Sequence, residues 1–289
     1  MISISCVYSQ VNRNLSYNTS SEYKKQLKKF PFIKITNSVK DSLVQETSDV
    51  IYFKNEKISL HLDAYLYKSY LKLPTILLIH GGGWASGNKS MLGPLAQNIA
   101  KKGYNCFSIQ YRLSEEAQYP ASINDILDAL EFIKTNASKF NVDILKIGVL
   151  GCSSGAQMAS LLGTKYPEKF QAIINLDGVL AFHHPESSEG SYAAKWLGGT
   201  YEEKPEIWEE ASALSHVSKK TPPILFINSQ YDRFHAGRDD MIKILNENKI
   251  YNRVEEIKDS PHTFWLFEPW FDDTVSYITR FLDQQFKLN

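Results

Sequence analysis

The stretch that decides the fold is I-G-V-L-G-C-S-S-G-A-Q-M-A-S-L-L, residues 147–162. Its first four residues are typical of a buried strand, and the residues from Ala156 to Thr164 are typical of a helix. Between them lies G-C-S-S-G, in which Ser153 occupies the turn. A serine at a sharp strand-to-helix turn projects its hydroxyl above the sheet, and the flanking glycines leave room for a tight backbone. The motif predicts a nucleophilic serine; the alternative is a glycine-rich turn whose serine caps the helix.

Strands and helices alternate on both sides of this stretch. The strand patterns cover residues 50–54, 60–67, 74–80, 104–111, 147–150, 172–176, 222–228 and 254–258, and the helical patterns cover 91–102, 120–140, 156–164, 239–248 and about the last 20 residues. This alternation predicts an α/β fold with a mostly parallel, eight-stranded central sheet and helices on both faces. Residues 181–216 interrupt the alternation and predict a small insertion over the carboxyl edge of the sheet.

Composition limits the domain organisation and the classes of partner. The chain has 289 residues, 43% of them hydrophobic, which suits one α/β domain with a full core. Residues 10–48 are polar and without a sustained period, so they predict a poorly packed arm or an irregular cap before a domain at 49–289. The formal net charge is zero, which gives no argument for nucleic acid or an anionic membrane as partner. No apolar run approaches the roughly 18 residues of a membrane span.

The amino terminus carries a weak targeting signal. Residues 1–9 read M-I-S-I-S-C-V-Y-S, with Val7 and Ser9 at the two positions that a signal peptidase reads before a cut. The positive region and most of the apolar region of a secretory signal are absent. One interpretation is that the given sequence begins inside a longer signal, and we favour it, so we expect a secreted or periplasmic protein. The alternative is a frayed tail on a cytoplasmic protein.

A glycine run follows the central strand pattern at residues 74–80. The segment H-G-G-G-W covers residues 80–84, and its glycines allow backbone amides to turn toward a small anion. Acyl transfer needs such donors because negative charge develops on the former carbonyl oxygen. The amides of Gly82, Gly83 and Ser154 are therefore the predicted oxyanion hole. We expect His80 to act as a structural hydrogen-bonding residue rather than as a base.

A serine nucleophile needs a base that removes its proton. The order serine, acid, histidine along the chain is the one found on this fold, so the base is expected after the last strand. Of the seven histidines, His262 lies in D-S-P-H-T-F-W, directly beyond the last strand pattern. Its position and its order both predict that it is the catalytic base.

The acid that orients this base is expected after the preceding strand. P-P-I-L-F-I-N-S-Q-Y-D, residues 222–232, places Asp232 just beyond the apolar run. Asp232 would hold the imidazole in the correct tautomer and stabilise the imidazolium. Asp239 and Asp240, a few residues further on, are the alternatives.

These motifs together resemble the hormone-sensitive-lipase-like and carbohydrate-esterase branches of the α/β-hydrolases, over about residues 50–285. H-G-G-G-W, Q-Y-R-L, G-C-S-S-G and P-H-T-F-W occur in the order of that family. The segment beginning W-L-G-G-T-Y at Trp196 is similar to that of bacterial polysaccharide-deacetylating and feruloyl esterases. The family often has H-G-x-x-D at the acid, whereas residues 228–232 read N-S-Q-Y-D. The resemblance implies hydrolysis of an acetyl or aryl ester on a polysaccharide.

Aromatic and histidine residues supply further candidates. Trp84 and Trp265 flank the proposed triad in sequence and are candidates for stacking on sugar rings; the alternative is a place in the core. His183, His184 and Glu186 can be read as metal ligands, but adjacent histidines do not readily point at one ion, so a polar loop is favoured. We predict no metal and no organic cofactor.

The sequence thus predicts a carboxylic ester hydrolase that forms an acyl-enzyme on Ser153. Its expected substrate is an acylated carbohydrate or a small ester, with acetyl or feruloyl as the acyl group. Two alternatives stay open. One is an amide hydrolase on the same fold, of the arylformamidase or peptidase type, and the other is a non-catalytic binding protein on a hydrolase scaffold.

Overall fold

The fold is described by a computed structural model, which covers residues 13–38 and 40–286. Within those residues the strands are β1 (Lys34–Ile35), β2 (Val44–Lys54), β3 (Ser59–Tyr67), β4 (Leu73–Ile79), β5 (Asn105–Ile109), β6 (Val142–Cys152), β7 (Ala172–Leu176), β8 (Ile224–Asn228), β9 (Asn252–Glu256) and β10 (Phe267–Glu268). The helices are α1 (Thr19–Gln26), α2 (Gly93–Ala100), α3 (Ala121–Thr135), α4 (Ala137–Phe140), α5 (Ser154–Lys165), α6 (Gly190–Leu197), α7 (Pro205–Glu210), α8 (Arg238–Glu247) and α9 (Phe271–Phe286).

One large sheet organises these elements. Its eight strands lie in the order β2-β3-β5-β4-β6-β7-β8-β9. The pairs β2–β3 and β3–β5 are antiparallel, and the remaining five pairs are parallel. The prediction of a mostly parallel, eight-stranded sheet is therefore confirmed. The predicted strand at 254–258 begins two residues earlier in the structure, at Asn252.

The central strand β4 is buried on both faces, which explains its continuous apolar run. Leu77 and Ile79 pack into a core covered by α3, α5 and α8. Ile76 and Leu78 point the opposite way, into a core covered by α2 and α9. Successive side chains of a strand alternate between faces, so a strand with helices on both sides needs apolar residues at every position.

The N-terminal arm packs more closely than its polar composition predicts. Helix α1 begins with a reciprocal cap, in which the side chains of Asn18 and Ser21 each accept from the other's backbone N–H. Beyond the helix, β1 pairs with β10, and the side chains of Phe30 and Ile33 are buried beside the C-terminal segment. The ring of Phe30 meets that of Trp270 edge-on, with centroids 5.4 Å apart. A few apolar residues are enough to dock this polar segment.

The insertion at residues 181–216 contains α6 and α7 and packs on the first turns of two helices of the main domain. The indole of Trp196 donates to Ser122 Oγ in α3 at 3.1 Å. Gln157 of α5 donates to the carbonyl of Ala211 at 2.8 Å. Because α5 begins directly beyond the carboxyl end of β6, the insertion lies over that edge of the sheet.

The targeting prediction at residues 1–9 lies outside the described residues, as does Cys6. Among the residues that the structure describes, none of the helices combines the length and the apolar character needed to cross a bilayer.

Replacing Phe30 by alanine tests whether the arm belongs to the cooperative fold. Phe30 is 6% exposed and Phe32 is 60% exposed, although both rings contact Trp270. We expect Phe30→Ala to lower the free energy of unfolding by about 3 kcal/mol, and Phe32→Ala by under about 1 kcal/mol, because only the first opens a cavity. Urea denaturation measures both values. Equal effects of the two substitutions would contradict a docked arm.

Candidate active site

Ser153 occupies a strained turn between β6 and α5. Its backbone angles are φ +56° and ψ −125°, in a region that residues with a side chain rarely adopt. The glycines around it are required by close packing. A Cβ on Gly151 would lie 2.0 Å from the carbonyl oxygen of Gly155, and a Cβ on Gly155 would lie 2.1 Å from that of Ile79 in β4. The sequence G-C-S-S-G therefore forms the predicted strand-to-helix turn with the serine at its apex.

A continuous hydrogen-bonded line joins Ser153, His262 and Asp177. His262 Nε2 lies 2.8 Å from Ser153 Oγ, and His262 Nδ1 lies 2.8 Å from Asp177 Oδ2. The imidazole is held from the sides as well. The ring of Phe234 stacks on it at 3.4 Å between centroids, and Trp265 meets it edge-on at 5.4 Å. The structure brings together Ser153 and His262 as predicted, but with a different carboxylate.

The acid prediction needs correction, because the carboxylate that contacts His262 is Asp177. Asp232 is exposed and begins a short 3-10 turn. The two alternatives are also elsewhere: Asp239 pairs with Arg238 at 2.8 Å, and Asp240 follows in the exposed first turn of α8. The sequence rule placed the acid after β8, whereas the structure places it one strand earlier, after β7.

Asp177 reaches the site because β6 and β7 are neighbours in the sheet. It directly follows β7 and adopts φ +53°. The backbone N–H of Ser153 donates to the carbonyl of Leu176 at 2.8 Å, which ties the two strand ends together. At Gly178 an added Cβ would lie 2.7 Å from the carbonyl oxygen of Ser153. The signal in the sequence was an apolar strand ending in Asp-Gly, A-I-I-N-L-D-G at residues 172–178.

A second histidine, which the sequence did not reveal as a site residue, binds the other oxygen of the same carboxylate. His235 Nε2 lies 3.0 Å from Asp177 Oδ1, and the backbone N–H of Ser229 donates to that oxygen at 2.8 Å. Behind His235, the guanidinium of Arg238 lies 3.5 Å from its Nδ1 and donates to Asn228 Oδ1 at 2.9 Å. Both carboxylate oxygens of Asp177 are thus fully engaged.

The two histidines keep Asp177 ionised although it is completely buried. Burial by itself raises the pKa of the carboxyl group, but the hydrogen bonds from His235 and His262, and the charges of the two imidazoles, outweigh burial and hold the pKa at about 2. An ionised Asp177 accepts a hydrogen from His262 Nδ1. Nε2 of His262 then has a free lone pair facing the hydroxyl of Ser153.

The glycine run lies against the serine. A Cβ added to Gly81 would fall 2.9 Å from the Cβ of Ser153. In the described part of the chain, the amides of Gly82, Gly83 and Ser154 make no hydrogen bond to an acceptor. These are the three donors predicted for an oxyanion hole, and they remain available to a ligand.

His80 stabilises the conformation of this glycine turn. Its Nδ1 donates to the carbonyl of Gly81 at 2.9 Å, and its ring stacks on Tyr111 at 4.4 Å between centroids. Burial lowers the pKa of His80 to about 3, so the ring is neutral. Its position is that of a structural hydrogen-bonding residue.

The two tryptophans predicted as sugar platforms lie inside the protein. Trp84 is 2% exposed, stacks on Trp196 at 5.3 Å between centroids and donates to Gln157. Trp265 is 3% exposed and packs against the edge of His262. Neither indole presents a face to solvent, so the prediction that they stack on sugar rings is corrected: Trp84 supports the core and Trp265 supports the histidine.

The histidines considered as metal ligands make other contacts. His183 stacks on Tyr201 with ring centroids 3.6 Å apart, and His184 Nε2 lies 3.2 Å from Asp240. Across residues 13–38 and 40–286, no group of three or more His, Cys, Asp or Glu side chains is arranged to hold a metal ion.

Solved structures share this architecture. A truncated carbohydrate esterase from gut microbiota superposes with a TM-score of 0.68 at 21% identity, over 86% of this chain and 98% of that one. An acetyl ester-xyloside bifunctional hydrolase from Caldicellulosiruptor lactoaceticus gives a TM-score of 0.71 at 20% identity, over 84% of this chain and 98% of that one. The fold is therefore the α/β-hydrolase fold, as predicted. The family model BD-FAE matches residues 62–237, and the chain belongs to the BD-FAE family.

Curated relatives match part of the chain. The esterase LipC of Mycobacterium tuberculosis is 25% identical over 206 residues, which cover 65% of this chain and 49% of the relative. The acetyl esterase of Salmonella choleraesuis is 24% identical over 164 residues, which cover 55% of this chain and 51% of the relative. The chain spans about half the length of these relatives.

The depressed pKa of Asp177 gives a pH-dependent contribution to stability. A carboxyl group with a pKa of about 2 when folded and an ordinary value of about 4 when unfolded stabilises the fold above about pH 4, and this contribution is lost as pH falls toward 2. We expect the wild type to be more stable than Asp177→Asn at pH 5, and the gap to shrink as pH falls through this window. Urea denaturation at several pH values measures the gap. A gap that stays constant with pH would contradict the assignment, and Asp232→Asn serves as the exposed control.

Proposed function

We propose that this chain is a carboxylic ester hydrolase that works through an acyl-enzyme on Ser153. The observation that carries the proposal is the line Ser153–His262–Asp177, which lies beside three amides without an internal acceptor. A hydroxyl, an imidazole and a buried carboxylate in this order form the constellation used for acyl transfer on several unrelated folds. Membership of the BD-FAE family, and relatives that are named esterases, support this proposal.

The first half of the reaction forms the acyl-enzyme. Ser153 Oγ attacks the ester carbonyl carbon while His262 Nε2 takes the hydroxyl proton. The carbonyl oxygen becomes an oxyanion, which the amides of Gly82, Gly83 and Ser154 stabilise in this scheme. When the intermediate collapses, the bond to the alcohol oxygen breaks, and His262 returns its proton to that oxygen. The alcohol departs and the acyl group stays on Ser153.

The second half releases the acid by the same path. His262 removes a proton from a water molecule, whose oxygen attacks the acyl carbon, and the tetrahedral intermediate again places its charge at the amides. Collapse returns the proton to Ser153 Oγ and frees the carboxylic acid. Asp177 stays ionised throughout, orients the imidazole and stabilises its charged form. His235 fixes Asp177 and is a positioning residue in this scheme.

For the substrate, we propose the acetyl group of an acetylated carbohydrate. Support comes from the names of similar proteins: a carbohydrate esterase and an acetyl ester-xyloside bifunctional hydrolase share the fold, and a curated relative is an acetyl esterase. The sequence resemblance to polysaccharide-deacetylating and feruloyl esterases points the same way, with a feruloyl group as the alternative.

Removing the hydroxyl of Ser153 tests the chemistry. We expect the wild type to hydrolyse p-nitrophenyl acetate and to release acetate from acetylated xylan, and Ser153→Ala to lose both activities by at least about 10⁴-fold, because no nucleophile remains. Nitrophenolate absorbance and an acetate assay measure the rates, and circular dichroism verifies folding. Retained activity in a folded variant would overturn the proposal. Cleavage of the nitrophenyl ester without acetate release from acetylated xylan or pectin would overturn the carbohydrate substrate alone.

A pair of aspartate substitutions tests which carboxylate orients His262. We expect Asp177→Asn to lower kcat on p-nitrophenyl acetate by about 10³- to 10⁴-fold, because the amide cannot support the required tautomer and charge. Asp232→Asn should change kcat by less than about threefold, because its side chain lies on the surface. A large loss at Asp232 combined with near-normal activity at Asp177 would reverse the assignment.

A further inference from the structure

One carboxylate oxygen of the half-buried residue Glu189 is buried without a partner. Its Oε1 is shielded from solvent and makes no hydrogen bond with any residue that the structure describes. Glu189 immediately precedes α6, in the insertion over the carboxyl edge of the sheet, and its backbone carbonyl accepts from the N–H of Tyr192. Buried acceptors are normally satisfied, so an acceptor left open beside a candidate active site requires a donor from elsewhere.

The segment that carries Glu189 contacts the glycine run and, through Arg233 and Phe234, is linked to His262. On one side, Tyr192 lies against the glycine run, because a Cβ added to Gly83 would fall 3.2 Å from its ring. Tyr192 is 60% exposed, so its ring forms an open wall beside the proposed oxyanion hole. The segment therefore lies directly above one end of the site.

On the other side, the same segment reaches the catalytic histidine. Arg233 donates to Ser188 Oγ at 3.3 Å, and its guanidinium lies over the ring of Phe234 at 4.1 Å. Phe234 in turn stacks on His262 at 3.4 Å between centroids. Glu189 thus supplies an acceptor, and Arg233 a donor, on the side of the site where Phe234 covers the imidazole.

We propose that Glu189, Arg233 and Tyr192 form the subsite for the alcohol part of the ester, and that this subsite selects alcohols carrying free hydroxyl groups, such as a sugar ring. The unpaired Oε1 of Glu189 accepts a hydroxyl of the alcohol, Arg233 donates to a second oxygen, and the ring of Tyr192 forms the wall. This inference rests on the proposed function and adds the residues that recognise the substrate.

The path of the proton indicates that Glu189 and Arg233 lie beside the alcohol part of the ester rather than beside the acyl group. His262 delivers its proton to the departing alcohol oxygen, so the alcohol lies on the histidine side of the site, where Phe234 stacks on the imidazole and Arg233 lies over Phe234. The acyl oxygen lies at the amides of the glycine run.

The electrostatics of Glu189 favour a hydroxyl donor over an apolar ligand. Burial raises the pKa of its carboxyl group, while the positive charges of Arg233 and His262 oppose that rise. An apolar alcohol would leave Oε1 of Glu189 without a hydrogen-bond partner, which is unfavourable. A hydroxylated alcohol supplies the missing hydrogen bond to Oε1. The subsite therefore selects hydroxylated alcohols, because an apolar alcohol leaves that oxygen unpaired.

A matched pair of acetyl esters tests the subsite. Monoacetylated methyl xyloside carries free hydroxyls on its ring, and cyclohexyl acetate has a ring of the same size without them. We expect the wild type to prefer the xyloside ester in kcat/KM. Glu189→Leu should reduce kcat/KM on the xyloside ester by about 10- to 100-fold, the range for a hydrogen bond to a charged group. Its kcat/KM on cyclohexyl acetate should stay within about twofold or rise.

Two further variants separate recognition from structure. Glu189→Gln keeps an acceptor oxygen and should retain most of the activity on the xyloside ester. Glu186→Leu makes the same change at an exposed glutamate three residues earlier and should leave both rates unchanged. Equal losses by Glu189→Leu on both esters would overturn the subsite, because the residue would then act only through the fold. An unchanged preference in Glu189→Leu would overturn it as well.

The same experiment distinguishes failure of the subsite from failure of the proposed function. Hydrolysis of p-nitrophenyl acetate that depends on Ser153, without selectivity for the hydroxylated ester, would overturn only the subsite. A wild type that hydrolyses neither p-nitrophenyl acetate nor either ring ester would overturn the esterase, and the subsite with it.

Discussion

The site depends on the close approach of the turn at Ser153 to the two strands beside it. A side chain at Gly155 would collide with the carbonyl oxygen of Ile79 in β4, and a side chain at Gly178 would collide with that of Ser153. Because these backbones touch, the loops after β4, β6 and β7 converge on one point above the sheet. That point combines the amides of the glycine run, the hydroxyl of Ser153 and the carboxylate of Asp177. The close contact of these backbones therefore brings the ends of β4, β6 and β7 together around one site.

Contacts that are local in the chain could be predicted, and contacts across the sheet could not. Ser153 can be identified because its glycines, strand and helix all lie within the 18 consecutive residues 147–164, and His262 because it follows the last strand. The identity of the carboxylate that contacts His262 depends on which strand end lies beside the imidazole. Asp177 and Asp232 each follow an apolar strand, so the pattern alone does not separate them. Lateral order in the sheet decides, since β7 is the neighbour of β6 whereas β8 lies one strand further away. His235 was missed for the same reason, because its partner lies 58 residues away in the chain.

Burial was the other property that composition predicted poorly. Trp84 looked available because it ends the glycine run, yet it lies in a stack of aromatic rings with Trp196 and Phe182. Trp196 and Phe182 belong to the insertion at residues 181–216. Contacts between residues that are distant in sequence set the position of this insertion on the main domain. Similarly, Phe30 gives little sign in a polar arm that it packs on Trp270. An aromatic side chain is equally suited to a core and to a ligand surface, and only the surrounding packing decides which role it has.

The arrangement around Asp177 also determines where the protons of the site reside. A buried carboxylate is strongly unfavourable unless it is fully hydrogen-bonded, and here both oxygens accept from imidazoles. Each imidazole must present an N–H to the carboxylate, which fixes Nε2–H on His235 and Nδ1–H on His262. The remaining nitrogen of His235, Nδ1, then faces the guanidinium of Arg238, and the remaining nitrogen of His262 faces Ser153. The guanidinium of Arg238 also pairs with Asp239 at 2.8 Å, so a second carboxylate holds it in place behind His235. With Nδ1–H directed at Asp177, the lone pair of His262 Nε2 points at Ser153 Oγ, which is the arrangement that accepts the proton of the hydroxyl.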